Sequence, residues 1–237
     1  MIIDCHMHLK GGDIERTEFC PANIVKVMDE AGIDRAIVFA ICETTEDSIN
    51  RTKRALNLFP ERFIGFVYAI PSFEQNVLEK IKKAVDEGFC GIKLHGGETR
   101  LSPWIVDSLF EFAQENKLPI LLDPVGDFSN VERLTREFRG VNLICAHLGN
   151  MLEPDTKRII SFAKERENLY LDTSYVRMTQ YIRRAIEVAG PNKVIFGSDG
   201  PDVNVKVELF KVKSLGLKRE DEDLVLYKNI LRLIGDR

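Results

Sequence analysis

Apolar and polar positions along the chain fall into two alternating kinds of segment. Eight short runs are rich in β-branched and aliphatic residues: 2–9, 35–41, 62–69, 91–95, 118–123, 141–147, 169–174 and 193–198. Between them the apolar residues recur every three to four positions, the spacing of a helix that buries one face. Residues 21–31 open on Pro21, suited to a first helical turn, and stop at Gly32. Residues 45–59 stop before Pro60. Ser72 with Gln75 three places on reads as a capping box for 73–87, which ends at Gly88. Leu109, Phe110 and Phe112 mark a helix over 104–116, and Ser129 with Glu132 caps another over 130–138. Further helices fit 154–166, 178–189, 204–215 and 221–234.

Strands that alternate with helices run parallel, each return being made by a crossover helix. Eight such units in about 200 residues predict an α/β fold of the (β/α)8 TIM-barrel kind. A doubly wound open sheet is the runner-up, but it needs fewer strands and a Gly-rich first turn. Gly11-Gly12 follows the first run without forming that motif. No composition break or linker interrupts the pattern, so residues 1–237 read as a single domain.

Composition narrows the partners. The chain is 44% hydrophobic and 30% charged with a net charge of −4, which points neither to nucleic acid nor to an anionic membrane. No apolar run approaches the roughly 20 residues of a spanning helix, and no signal peptide is expected ahead of a strand that starts at residue 2. The cysteines (Cys5, Cys20, Cys42, Cys90, Cys145) are odd in number and scattered, and three of them lie in or against apolar segments. Reduced, mostly buried thiols in a cytoplasmic protein are the expectation.

Barrels of this kind build their active sites at the C-terminal ends of the strands. Those ends carry His6, His8, Lys93, His95, Asp123, His147, Asp172 and Asp199, and they include all four histidines of the chain. Side chains alternate faces along a strand, so His6 and His8 point the same way, with Asp4 expected one layer below on that face. Two imidazoles converging from one strand end make half of a divalent-metal site. Taken alone, the pair reads more simply as a satisfied or solvent-facing set. His147 sits on the inward alternation of Leu143 and Cys145, and also reads as a histidine locked on a backbone carbonyl.

Four segments carry a resemblance. Asp4-Cys-His6-Met-His8, Gly91-Ile-Lys93-Leu-His95, Ala146-His147-Leu-Gly149 and Phe196-Gly197-Ser198-Asp199-Gly-Pro201 resemble signatures of the amidohydrolase superfamily. They are most similar to the amidohydrolase-related branch that includes aminocarboxymuconate-semialdehyde decarboxylase. The closing stretch from Leu226 through Asn229 to Gly235 is similar to that branch's C-terminal helix, so the likeness spans the chain in order. It implies one divalent metal ion, most often zinc, held by His6, His8 and Asp199, with His147 in proton transfer or substrate polarisation.

The branch's fifth strand normally adds a histidine ligand, and here that position is Asp123. A carboxylate binds zinc at about 2.0–2.2 Å, so Asp123 is a candidate fourth ligand that shifts preference toward a harder metal such as manganese. Its neighbour Pro124 holds it extended and could aim it past the metal. Lys93 is unusual on a barrel strand because an unpaired buried ammonium is costly. It is expected to pair with a site carboxylate; holding a substrate carboxylate, or carbamylation as in binuclear relatives, are the other readings. Asp4 is expected to orient a ligand, and Asp172 to bond a loop amide. Lys93, His95, Arg100 and Arg177 are the candidate substrate-binding residues, the two arginines as bidentate partners of an anion. Trp104 and Phe128 could line the pocket.

The resemblance implies two reactions on one site. The first is metal-dependent hydrolysis of a small amide, ester or lactone, with Asp199 as general base and His147 or Lys93 stabilising the oxyanion. The alternative is a lyase that decarboxylates or hydrates a small unsaturated carboxylic acid. A metal-free binding protein on a degenerate barrel is a third reading, resting on Asp123 alone. Short loops leave little room for a lid domain and favour a small-molecule substrate over a polymer; a homodimer is the candidate assembly.

Overall fold

The computed structural model describes residues 1–12, 17–149 and 153–235. Its strands are β1 (Ile3–Lys10), β2 (Arg35–Ile41), β3 (Phe63–Tyr68), β4 (Gly91–His95), β5 (Ile120–Asp123), β6 (Leu143–Cys145), β7 (Leu169–Asp172) and β8 (Val194–Ile195). Each is followed by a helix: α1 (Pro21–Ala31), α2 (Thr45–Leu58), α3 (Val77–Asp86), α4 (Pro103–Glu115), α5 (Phe128–Glu137), α6 (Glu153–Glu165), α7 (Thr179–Ala189) and α8 (Val205–Lys213). The strands form one parallel sheet in sequence order. The segment from β8 onward closes it against β1: Cys5 N–H donates to Phe196 O at 3.0 Å, Asp199 N–H to His6 O at 2.8 Å, and His8 N–H to Gly200 O at 2.8 Å. The fold is the (β/α)8 barrel that the alternation predicts, and the open sheet is ruled out.

Two apolar layers hold it. The larger lies between strands and helices, with Met7, Leu9, Val38, Val67, Leu94 and Leu122 among its members. The smaller fills the barrel interior with Ile3, Cys5, Ile37, Phe39, Phe66, Leu121, Ile144 and Ile195. Phe66 fits there because Gly91 lacks a side chain; a Cβ at Gly91 would come within 2.4 Å of the ring. The floor of this interior comes from the chain's last turns. Beyond α8 run α9 (Arg219–Asp223), one loosened π-turn (Leu224–Lys228) and α10 (Asn229–Ile234). Ile230, Leu233 and Ile234 of α10 join the interior layer and plug the N-terminal end of the barrel. Buried Asn229 anchors the plug by donating to Pro191 O and Val194 O, each at 2.8 Å.

Local signals hold in part. α1 begins at Pro21, and Gly32 ends it in the left-handed conformation at φ 73°, returning its N–H to Met28 O and Asp29 O. The capping box at Ser72 and Gln75 does not form. α3 starts later, after Asn76, while Ser72 Oγ accepts the Arg100 N–H at 2.6 Å. α5 is capped by Asp127 rather than Ser129, because the Asp127 carboxylate reaches the Ser129 N–H at 3.1 Å. β6 ends at Cys145, where the chain turns sharply with His147 at φ 59° and Leu148 at φ 50°. Cys5, Cys90 and Cys145 are buried free thiols. Among the described residues no helix is long and apolar enough to cross a membrane.

Candidate metal centre

The first strand does not alternate simply. Its pairing with β2 shifts register between Asp4 and Met7, a bulge that resets which side chains face in. Ile3 and Cys5 pack inside the barrel below the bulge, and Met7 and Leu9 pack outside it above. His6 and His8 are thereby turned into the mouth. Asp4 does not share their face, contrary to the period-2 reading. It lies beneath, where Oδ1 accepts the N–H groups of His6 and Ser198 at 3.0 Å each and ties β1 to the segment after β8. Burial raises its carboxyl to about 7, and among the described residues Oδ2 has no hydrogen-bond partner.

His6 Nε2 and His8 Nε2 converge on Asp199 Oδ1, at 3.4 and 2.6 Å. All three donor atoms lie within 4.8 Å of one another. The orienting carboxylate for His6 is Asp172, not Asp4. Asp172 Oδ2 accepts from His6 Nδ1 at 2.6 Å, which leaves the Nε2 lone pair facing Asp199. The other oxygen accepts the Ser174 N–H at 2.6 Å, the loop contact expected of it. Ser174 Oγ donates to Asp172 Oδ2 at 2.7 Å and lies 2.9 Å from His147 Nδ1, so it links the two histidines. Two imidazoles and a carboxylate, one imidazole fixed by a buried acid, form a donor set that fits a divalent ion such as zinc or manganese.

Asp123 stands outside that set. Its Oδ2 lies 3.4 Å from His95 Nε2 and 3.5 Å from His147 Nε2, and its Oδ1 accepts the Val125 N–H at 2.8 Å. The extended backbone before Pro124 aims it across the mouth toward β4 and β6. His147 has both ring nitrogens facing acceptors, with Nδ1 3.0 Å from Ser174 O. Burial would lower its pKa, but the Asp123 bond and the charges of Asp172 and Asp199 outweigh this and raise it. Burial would raise Asp123 and Asp199. Instead the bond from His147 and the Lys93 charge hold Asp123 well below the usual carboxylate range, and the histidines do the same for Asp199.

Lys93 is 1% exposed, with Nζ 3.3 Å from His6 Nε2 and 5.5 Å above the Phe39 ring. The expected ion pair does not form; among the described residues no carboxylate makes one with it, because Asp123 and Asp199 are turned toward histidines. Burial lowers its pKa, and the charges of Asp123, Asp199 and Asp172 partly oppose that.

These groups line a cavity of about 450 Å³ at the C-terminal mouth, with His6, His8, Lys93, His95, Asp123, His147 and Asp199 all on its wall. Arg100 and Arg177 are exposed and do not line it. Nor do Trp104, which is 84% exposed, and Phe128, which joins the core. Tyr68, Glu98 and Tyr175 line it without having been singled out. Tyr68 carried a signal: it ends its strand in register with Lys93. Tyr175 is presented by a loop that α8 clamps. Glu208, 4% exposed, accepts the Tyr175 N–H at 3.1 Å, and its partner Lys211 donates to Val176 O at 2.7 Å.

A (β/α)8 barrel with paired histidines on β1, an aspartate after β8 and a third histidine after β6 at one mouth defines a class of barrel enzymes with a metal-type centre. The chain belongs to the amidohydrolase family, which it matches over residues 3–235. Similar solved structures include 2,6-dihydroxybenzoate decarboxylase in complex with 2,6-dihydroxybenzoate (17% identical, 98% of each chain covered, TM-score 0.76). Another is dihydroxybenzoic acid decarboxylase from Polaromonas sp. JS666 with bound manganese and the inhibitor 2-nitroresorcinol (17%, 98% of this chain and 96% of that one, 0.76). A third is 5-carboxyvanillate decarboxylase from Sphingomonas paucimobilis (13%, 98% of each, 0.77). No curated protein matches the chain in sequence.

Proposed function

We propose that this chain is a metal-dependent decarboxylase of a small unsaturated or aromatic carboxylic acid. One observation carries the reading: Lys93 is a buried amine on the cavity wall, beside the metal-type group, with no carboxylate of the described residues paired to it. Burying an amine with no carboxylate in contact disfavours its charged form, and an anionic substrate group brought against it would offset that cost. Support also comes from the decarboxylases among its structural neighbours.

A divalent ion held by His6, His8 and Asp199 would supply Lewis-acid polarisation of substrate oxygens. The chain's own residues do the rest. Lys93 Nζ pairs with the substrate carboxylate. His147, whose pKa the Asp123 bond raises against burial, would hold a proton at Nε2 on the cavity wall. That proton passes to the substrate carbon, the bond from this carbon to the carboxyl carbon breaks, and carbon dioxide leaves. His147 then regains a proton from water at the open mouth.

Hydrolysis of a small amide, ester or lactone is the second reading, favoured by Asp199, whose side chain is 22% exposed and so accessible to a water whose proton it could take. The test loads the protein with manganese or zinc and offers unsaturated and aromatic acids beside esters, lactones and amides. Release of carbon dioxide is expected. Lys93→Met should cut turnover by about 100-fold or more while metal content stays unchanged. Hydrolysis without carbon dioxide from any acid would transfer the assignment to the second reading.

A further inference from the structure

The cavity has a second polar end, away from the metal-type group. Tyr68, 3% exposed, stacks on Phe39 with ring centroids 6.1 Å apart, and Phe39 in turn lies 4.9 Å from His8 and 5.5 Å from His6. Phe39 thus separates the histidines from Tyr68. The Tyr68 hydroxyl donates to Glu98 Oε2. Glu98 is held by the turn after β4, where its own N–H and that of Thr99 donate to His95 O at 3.0 and 2.8 Å. Among the described residues no cation pairs with Glu98. It lines the 450 Å³ cavity and, together with Cys42, a neighbouring lobe of about 870 Å³ over the start of α2.

A carboxylate accepts about four hydrogen bonds, and Tyr68 takes one. Burial first, then Glu98, push the Tyr68 phenol well above its ordinary pKa, so it remains a donor. Glu98 lines the cavity, whose opposite end holds Lys93 beside the His6, His8 and Asp199 group. A ligand donor satisfies the remaining lone pairs of Glu98 with a charge-assisted bond, and a second anion there is repelled.

We infer that Glu98, aligned by Tyr68, is a specificity determinant: it selects ligands that carry a hydroxyl or amine at the end remote from the metal-type group and rejects a second carboxylate there. This rests on the reading of the cleft as a carboxylic-acid site, and the probes separate the two claims.

Manganese-loaded protein is titrated with benzoate, 3- and 4-hydroxybenzoate, phenol and fluorobenzene, with binding followed by ligand-observed NMR. At least one hydroxybenzoate is expected to bind about 10-fold tighter than benzoate, and phenol tighter than fluorobenzene. Glu98→Ala should erase both preferences and leave benzoate unchanged. Glu98→Gln and Tyr68→Phe, which keep the shape, should each reduce them and so guard against a folding defect in the alanine variant. Equal affinities within each pair, preferences that survive Glu98→Ala, or no binding of phenol and the hydroxybenzoates would overturn the assignment. If both kinds of benzoate fail while phenol keeps its Glu98-dependent preference, the carboxylic-acid reading falls and the donor selectivity stands.

Discussion

Asp123 is set between two histidines, and that placement decides what it can bind. With one oxygen on the Val125 N–H and the other facing His95 and His147, it has little left for a metal held by His6, His8 and Asp199. Asp123→Asn is therefore expected to leave manganese affinity within about 3-fold of the parent in a chelator competition. Asp199→Asn, which removes a donor, should weaken it by about 100-fold or more. The same pair fixes a pH signature in metal-free protein. His147 titrates above its ordinary 6.5, so its contribution to stability is complete below 6.5 and lost as pH rises through the folded value. Asp123 titrates below its ordinary 3.8, so its contribution is complete above 3.8 and lost as pH falls through the folded value. Thermal melts of parent and Asp123→Asn should differ most between those limits, and the gap should narrow as pH rises through the folded value of His147; a gap that widens on the alkaline side would contradict the pairing. At this scale the strand-end rule made His6, His8, Lys93, His147 and Asp199 legible. The grip of Asp172 on His6 was not, because 166 residues separate two side chains that meet only across the closed barrel.

Elements were legible where periodicity is strong and blurred where a single hydrogen bond decides. Pro21 and Gly32 bracket α1 because each is an intrinsic conformational preference. Ser72 lost its cap to a tertiary contact with the Arg100 N–H, which no local spacing encodes, and Ser129 lost its to Asp127 two residues earlier. The bulge in β1 misdirects the reading of Asp4 for the same reason: it is a register event between strands, invisible along one of them. The terminal helix gives a direct test. Asn229 is fully buried and satisfies two carbonyls on the approach to β8. Asn229→Ala should destabilise the protein by about 2–3 kcal/mol in urea unfolding, since two buried acceptors lose their donor. A loss under about 0.5 kcal/mol would show that the plug is held by Ile230, Leu233 and Ile234 alone.

For the whole molecule, the site and the core are separable. The apolar interior is complete below the mouth without any help from the histidines. Manganese at 100 times its dissociation constant should add about 2.7 kcal/mol of stability, seen as a higher melting midpoint that chelation reverses. His6→Ala and His8→Ala should abolish that shift yet unfold cooperatively; loss of cooperativity would make the site structural. The barrel's closure has a temporal consequence. His6 and His8 leave the ribosome before Asp199 and the segment that pairs with β1, with strands β2–β7 made in between. A nascent chain that has emerged only as far as β7 carries both imidazoles without their Asp199 partner and exposes one unpaired edge of β1. That edge is where a chaperone or a neighbouring polypeptide would add a strand, so metal capture and escape from co-translational aggregation are decided together when the segment after β8 emerges and closes on β1.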